Sequence, residues 1–563
     1  MERDPAPSTD REPVPTATPG PAVPGMGRRV NRLSFVFSVL AFAALVMVPI
    51  ARSAIEDIDR QYANFGGIAC GLLALLFTQL AIATHRRVPW FLKMAVFALP
   101  VFVVAGFLAN YEFTGFNGEV WPTFRPRGTA VRSRLNSVPP STDLSAKAID
   151  PSIMPFRFSQ YLGNRRDGVV EAPEFSMDWK QKPPKVSWRR EIGEGWSGDA
   201  IANGLAVTIY QRGEKEVVSA WYLDDGQTAW EHEIPGRHAN ALGGIGPRST
   251  PTVASTAIGE IVLAQSALGT VVCLDCRTGR PLWSIDLLER AGINQEESEK
   301  EIMWGRSGSP LVVDDVAILP FGGSKAKSSK VNSLLAVDVA TGKERWLAGD
   351  SQVSYASPCR LTIDGREQIV SVNEGNVTGH DIATGTVLWE TPWPSKSNGD
   401  ACASQPMQVD DQKILIGKGY AQGSKLIEVR QKAKASDNGA STWESLDLWT
   451  NPRVLKTKFT SAVVYDGKAY ALSDGVLECV DPLTGTRIWR GPRYGQGQLL
   501  VVNGELLVSA EDGRVASVDR TTGRPVAEMQ VLEGITWNTP AVAGPYLLVR
   551  NGTEAVCLTS PTE

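Results

Sequence analysis

A short motif that ends on tryptophan recurs along the C-terminal part of the chain, and it restricts the fold more than any other feature. It reads Asp275-Cys-Arg-Thr-Gly279-Arg-Pro-Leu-Trp283, Asp338-Val-Ala-Thr-Gly342-Lys-Glu-Arg-Trp346, Asp381-Ile-Ala-Thr-Gly385-Thr-Val-Leu-Trp389 and Asp481-Pro-Leu-Thr-Gly485-Thr-Arg-Ile-Trp489. A shortened copy runs from Asp224 through Gly226 to Trp230, and a late one from Asp519 through Gly523 ends on Ala527 instead of Trp. Asp and Thr cap backbone N–H groups in a turn, and Gly admits the positive φ such a turn demands. The apolar alternation before each copy predicts a strand, the residues after Gly predict the next, and the Trp arrives once per unit at a fixed place. A large flat side chain in that position is suited to packing between neighbouring units.

A second signal precedes each motif: Ser249-Thr-Pro251, Gly308-Ser-Pro310, Ala356-Ser-Pro358, Ser404-Gln-Pro406 and Asn538-Thr-Pro540. Units of four short antiparallel strands, recurring every roughly 40 to 60 residues, are the blades of a propeller. Outer strands are expected at Trp188, Trp230, Trp283, Trp346, Trp389, Trp449, Trp489 and Ala527, which makes eight blades within residues 186–559. Lys185–Glu191 reads as an outer strand without inner ones, and Tyr546–Leu558 as inner strands without an outer one. Pairing the two closes the ring and removes its exposed edges. Blade five carries the weakest signal, because 410–449 lacks the motif and contains the polar stretch Lys432–Ser441.

The N-terminal part is of another kind. Residues 1–32 form a Pro-, Thr- and Ala-rich tail expected to be disordered. Within 33–109, three apolar runs (Leu33–Ala51, Phe65–Thr84 and Pro89–Leu108) each approach the ~20 residues that cross a hydrocarbon core, so three transmembrane helices are expected. Arg28, Arg29 and Arg32 precede the first run, and His85, Arg86 and Arg87 separate the second from the third. The loop between the first two balances Arg52 and Arg60 with Glu56, Asp57 and Asp59. The positive-inside rule then places the tail in the cytoplasm and everything after residue 109 outside. Lys93 is the one ionisable side chain expected inside these runs and lies near an end, so the helices read as an anchor, not an ion path. Residues 110–155 read as a spacer and 156–185 as a tail docked on the ring.

Charge excludes one class: 57 Lys and Arg against 61 Asp and Glu, net −4, is no nucleic-acid footprint. Seven cysteines show no framework spacing. Cys273 and Cys276 have redox or half-zinc spacing, but the repeat puts 273 on an inward strand position and 276 in a turn, so both read as structural thiols.

The motif Ala336-x-Asp338-x-x-Thr341-Gly342-x-x-x-Trp346 resembles the tryptophan-docking repeat of the quinoprotein dehydrogenase-like superfamily. Gly163-Asn-Arg-Arg-Asp-Gly168, Gly193-Glu-Gly-Trp196 and Gly243-Gly-Ile-Gly-Pro-Arg248 are similar to its BamB-like, pyrroloquinoline-quinone (PQQ)-binding-like branch. The resemblance, which covers about residues 160–560, implies an all-β propeller and agrees with the eight blades counted above, which the apolar runs place behind three transmembrane α-helices; it says little of activity, since turn and packing residues carry it. In the dehydrogenases of this superfamily, an Asp base, Glu and Asn ligands to calcium and often a vicinal cysteine pair surround PQQ. No Cys-Cys occurs here. The expectation is therefore a non-enzymatic scaffold without cofactor or metal, held in a bacterial inner membrane with its propeller in the periplasm, where it meets an envelope protein or peptide. The alternative is a PQQ- and calcium-dependent dehydrogenase of alcohols or sugars. In either case, residues just before the innermost strands should ring the mouth of the central channel. Trp196, His238, Arg248, Trp304 and Arg306 are expected there from the first blades, and Tyr355, Lys458, Trp537 and Asn538 from the later ones.

Overall fold

The structure, a computed structural model, describes residues 32–53, 59–127, 147–395, 397–432 and 442–561. The tail 1–31, the middle of the spacer and most of the polar stretch in blade five lie outside the described residues. The chain divides into two compact units, residues up to 47 with 70–103, and residues 48–69 with everything from 104 onward.

Three helices supply the first unit and lead into the second: α1 (Arg32–Ser53), α2 (Arg60–Thr84) and α3 (Trp90–Asn110). Helices α2 and α3 are long and apolar enough to cross a membrane, by length and composition. Two of the three expected spans are thus candidates by length and composition; the remaining one falls on α1, whose described apolar part, Arg32–Met47, is shorter than those two helices and than the ~20 residues a crossing needs. Within this unit Phe37 stacks on Phe77 at 6.3 Å, and Ser34 Oγ donates to the carbonyl of Ala81.

Eight blades make up the ring, each built on four antiparallel strands with chain order running outward in the first seven, and blade seven gains a fifth, parallel strand, Val169–Val170, on its inner edge. Blade one spans Ala200–Pro235, and blades two to seven run Thr252–Asp286, Leu311–Ala348, Cys359–Pro392, Met407–Asn451, Val463–Arg493 and Gln498–Gln530. Blade eight takes Ala541–Ala543, Tyr546–Arg550 and Glu554–Thr559 from the C-terminus and its outer strand, Lys185–Glu191, from before blade one; Trp188 stands opposite Cys557. This closure is the one expected from the two incomplete ends.

The repeated tryptophans do what their spacing predicts. Trp188, Trp230, Trp283, Trp346 and Trp449 each donate Nε1–H to a turn carbonyl of the next blade, at 2.8–3.1 Å. The glycine of that turn faces the indole: a Cβ on Gly279 would lie 2.5 Å from Trp230, and its φ is +68°. In every blade the register slips between the third and outer strands near the tryptophan position, a bulge that re-aims the side chain. Burying such a ring contributes ~1.5–3 kcal/mol, and its indole hydrogen bond adds about 1.

The exceptions have causes. Blade five lacks the Asp–Gly–Trp motif in its sequence, and among the described residues Trp389 of blade four bonds Gln368 Oε1 within its own blade. Blade eight joins its third and outer strands through the chain ends, so no turn awaits a tryptophan from blade seven, and Ala527 stands there. Phe175 and Trp179 of the preceding tail fill the same core. The Ser/Thr before each Pro also acquires a reason. Thr250, Ser309 and Ser357 each accept, through the side-chain oxygen, the N–H of Gly198, Thr250 and Ser309 respectively, linking blade to blade around the channel.

Segments outside the ring are less plain. The spacer contains a hairpin, Tyr111–Phe116 with Pro122–Pro126. Two short helices, α4 (Leu287–Ala291) and α5 (Gln295–Glu301), sit between blades two and three, capped by Asp286 and by an Asn294–Glu297 capping box.

Candidate functional site

Antiparallel order puts the loops entering the innermost strands, together with the loops between second and third strands, at one end of the channel. The turns that carry the Asp–Gly motif lie at the other end. The sequence-predicted residues therefore belong to one mouth, and the structure sorts them into three groups.

The first is an aromatic platform. Trp196 and Trp537 lie 4.6 Å apart, Phe459 is 5.1 Å from Trp537, and all three are half-buried. Trp304 and Tyr355 pair at 5.2 Å. One backbone carbonyl joins these rings to a charge: Gly243 O accepts from Trp196 Nε1 at 2.7 Å and from Arg248 Nη2. Gly244 lies so close to the Trp196 indole that a Cβ would approach to 3.0 Å.

A second group is buried and polar. His238, 2 % exposed, is pushed down to about 4 by burial and by the Arg248 charge, so its imidazole is neutral at physiological pH. Burial pushes Glu216 up to about 8, although the N–H of Ala267 and the Arg248 guanidinium favour its charged form. Arg248 falls to about 10, again through burial. Arg306 is almost wholly buried between the mouth loops of blades two and three, where it donates to the Phe321 carbonyl and lies against Gly269. Asn538 is buried too, its amide donating to the carbonyls of Gly195 and Ser197. These two hold blades together and do not line a binding surface.

Lys458 forms the third group. Its ammonium meets Asp59 at 2.8 Å, with the two side chains 1 % and 3 % exposed. Removing one partner of such a pair costs ~3–5 kcal/mol, because the other is left as an uncompensated buried charge. Asp59, Gly118 and Glu511 are not among the residues the sequence singles out. The loop signal that is present, Glu56, Asp57 and Asp59, speaks in the sequence only for topology.

The opposite end of the channel is crossed by residues 156–170. Phe158 pairs with Ile201 of blade one, and Val169 and Val170 add a parallel strand beside Gln498–Val502 of blade seven. Between them Arg166, 3 % exposed, reaches the inner strands of three blades: Nη1 donates to the carbonyls of Pro358 and Ser309, and Nη2 to the Pro310 carbonyl and the Thr252 hydroxyl. Gln405 of blade five closes on the Arg166 carbonyl at 2.8 Å. Arg166 is the hub of that end, and a single arginine in a polar run gives no sequence signal for it.

The calcium and quinone chemistry of the superfamily finds a poor match in these residues. Asp199 is a buried carboxylate beside the channel whose two oxygens lack hydrogen-bond partners. It faces the charges of Arg550 and Arg190, and burial raises it to about 6; two guanidinium groups oppose a divalent cation there. Cys273 and Cys276 are buried free thiols that burial lifts to about 12, which leaves them inert as nucleophiles or metal ligands.

Comparison with known proteins gives a consistent family. A family model described as outer membrane protein assembly factor BamB matches residues 176–346 and 214–491. The chain is similar to the outer membrane protein assembly factor BamB of Yersinia pestis, 26 % identical over 337 residues, covering 58 % of this chain and 72 % of that protein. It is also similar to the Shewanella oneidensis protein of the same description, 22 % identical over 346 residues, covering 59 % and 76 %. Among solved structures, BamB from Moraxella catarrhalis superposes with a TM-score of 0.44 and 14 % identity, over 67 % of this chain and 99 % of that one.

Proposed function

The chain belongs to the PQQ-type repeat family of outer membrane protein assembly factor BamB, and from that premise we propose that it is a non-enzymatic, membrane-anchored propeller that binds a protein or peptide partner in the bacterial envelope. In this reading α1 joins α2 and α3 as a third span within residues 33–109. The N-terminus then lies in the cytoplasm and residues 110–559 on the periplasmic side of the inner membrane, as the flanking charges favour. Residues 110–185 serve as linker and docked tail, and 186–559 as the ring.

The observation that carries the proposal is the platform at the mouth. Trp196, Trp304, Phe459 and Trp537 are half-buried aromatic groups, with Tyr355 beneath and Arg248 among them. Tryptophan, tyrosine and arginine are the residues that dominate protein interfaces. His238 is neutral and enclosed, which suits support of that surface better than proton transfer.

A photo-crosslinking residue placed at Leu242, in the mouth loop and 44 % exposed, tests this in membranes of the native host. The control is the same residue at Ile258, 45 % exposed in a turn at the other end of blade two. A discrete adduct with an envelope protein from position 242 and none from 258 is expected. Identical adducts from both positions, or none from either, would contradict the mouth as contact surface.

A further inference from the structure

Blades five to seven contribute a sector of the mouth that the chain fills with its own residues. Asp59 Oδ1 accepts from Lys458 Nζ, and Asp59 Oδ2 accepts from the N–H of Tyr420 at 3.1 Å. The Lys458 ammonium also donates to the Gly118 carbonyl at 3.2 Å and lies 5.4 Å from the Tyr420 ring. Among the described residues, each hydrogen bond given by that ammonium goes to residue 59, 61 or 118, and none to a blade. Beside it, Glu119 pairs with Arg493, and Gly118 donates to Glu511 Oε1. A Cβ on Gly118 would sit 2.2 Å from Gln496 Cγ, so the hairpin tip fits only as glycine.

We infer that this sector is a carboxylate receptor, with the Lys458 ammonium and the Tyr420 N–H as its donors and Asp59 as a resident occupant that an acidic, extended peptide displaces. Among the described residues the ring gives the Lys458 ammonium neither an anion nor a carbonyl of its own, unlike Arg166, whose guanidinium is met by blade carbonyls, and a carboxylate is the partner that best offsets the burial of such a charge. Phe459 follows Lys458 in sequence and stacks toward Trp537 and Trp196. A peptide whose acidic side chain reaches Lys458 can therefore lay its neighbours on the aromatic platform. The inference rests on the reading of the mouth as a contact surface and adds the chemistry of what it takes. Asp59 then works as a latch that keeps the receptor closed until such a segment arrives.

The test is an amine-acetylation footprint of the full chain in detergent micelles, read by mass spectrometry. Lys418, whose Nζ is held by the Trp393 carbonyl and Asp400 with the side chain 0 % exposed, reports an intact fold; Lys330, 79 % exposed, reports free labelling. Wild-type Lys458 should be as protected as Lys418. Asp59→Asn, which removes the charge, and Gly118→Val, which lifts the hairpin without touching a charge, should each raise Lys458 labelling roughly tenfold or more and leave Lys418 unchanged. Hexaglutamate, and not hexaglutamine, should then restore protection. Labelling of wild-type Lys458 at the rate of Lys330 would overturn the inference. So would protection that survives both substitutions, or hexaglutamate without effect. Where one substitution also exposes Lys418 the other decides, and if both do, Asp59 is a structural residue and no latch. The footprint reads no envelope partner, so it fails or succeeds independently of the crosslinking at position 242.

Discussion

Glu216 illustrates what burial does to one group. It is 1 % exposed, and its folded value near 8 stands well above the 4.5 of an unperturbed glutamate. The folded chain therefore holds a proton that the unfolded chain has lost. That contribution is fully present below about 4.5 and disappears as pH rises through 8. Two other buried groups titrate lower. Asp199, raised to about 6, acts in the same direction between 3.8 and 6, while His238, lowered to about 4, opposes it between 4 and 6.5. From 6.5 to 8 Glu216 still titrates, and there it should lower stability by up to ~1.4 kcal/mol per pH unit. Urea unfolding across that window should show the slope in the wild type and lose it in Glu216→Gln; equal slopes would refute the assignment. At this scale the repeat is fully legible in the sequence, because Trp283 on Gly342 is a local motif meeting itself one blade later. Arg166 and Asp59 are not, because each acts through partners far away in sequence that no spacing announces.

Strands and turns follow their sequence signals wherever the pattern is periodic. The strand Lys185–Glu191 pairs along its length with Glu554–Thr559, as two incomplete ends require. Less periodic elements escape the sequence: the hairpin of residues 111–126 owes its place to Gly118 against Gln496 and Glu511, and α5 carries a capping box at Asn294–Glu297 within a stretch that interrupts the repeat. Closure gives a prediction at this level. Truncation after Ala543 removes two strands of blade eight and leaves the edges of the ring unpaired. Such a chain should lose cooperative unfolding and form concentration-dependent oligomers in size-exclusion chromatography. A monomeric truncated chain with an unchanged unfolding midpoint would show that closure contributes little.

On the scale of the whole molecule, the channel is occupied from both ends by the chain's own residues, with Arg166 at one and Asp59 at the other. The family is shared with assembly factors, and the repeat resembles that of enzymes that hold a quinone. What separates these readings is the lining of the channel, which the repeat leaves free to vary, and this is why the fold is legible in the sequence while the site is only partly so. Blade order places Lys458 and the tryptophans at the mouth, yet their partners come from outside the repeats. The central claim, a scaffold whose mouth receives protein and not cofactor, is tested most directly by calorimetric titration of pyrroloquinoline quinone with calcium into the full chain in detergent. No saturable heat is expected. Saturable binding in the micromolar range or tighter would contradict it and return the propeller to the quinone-dependent dehydrogenases.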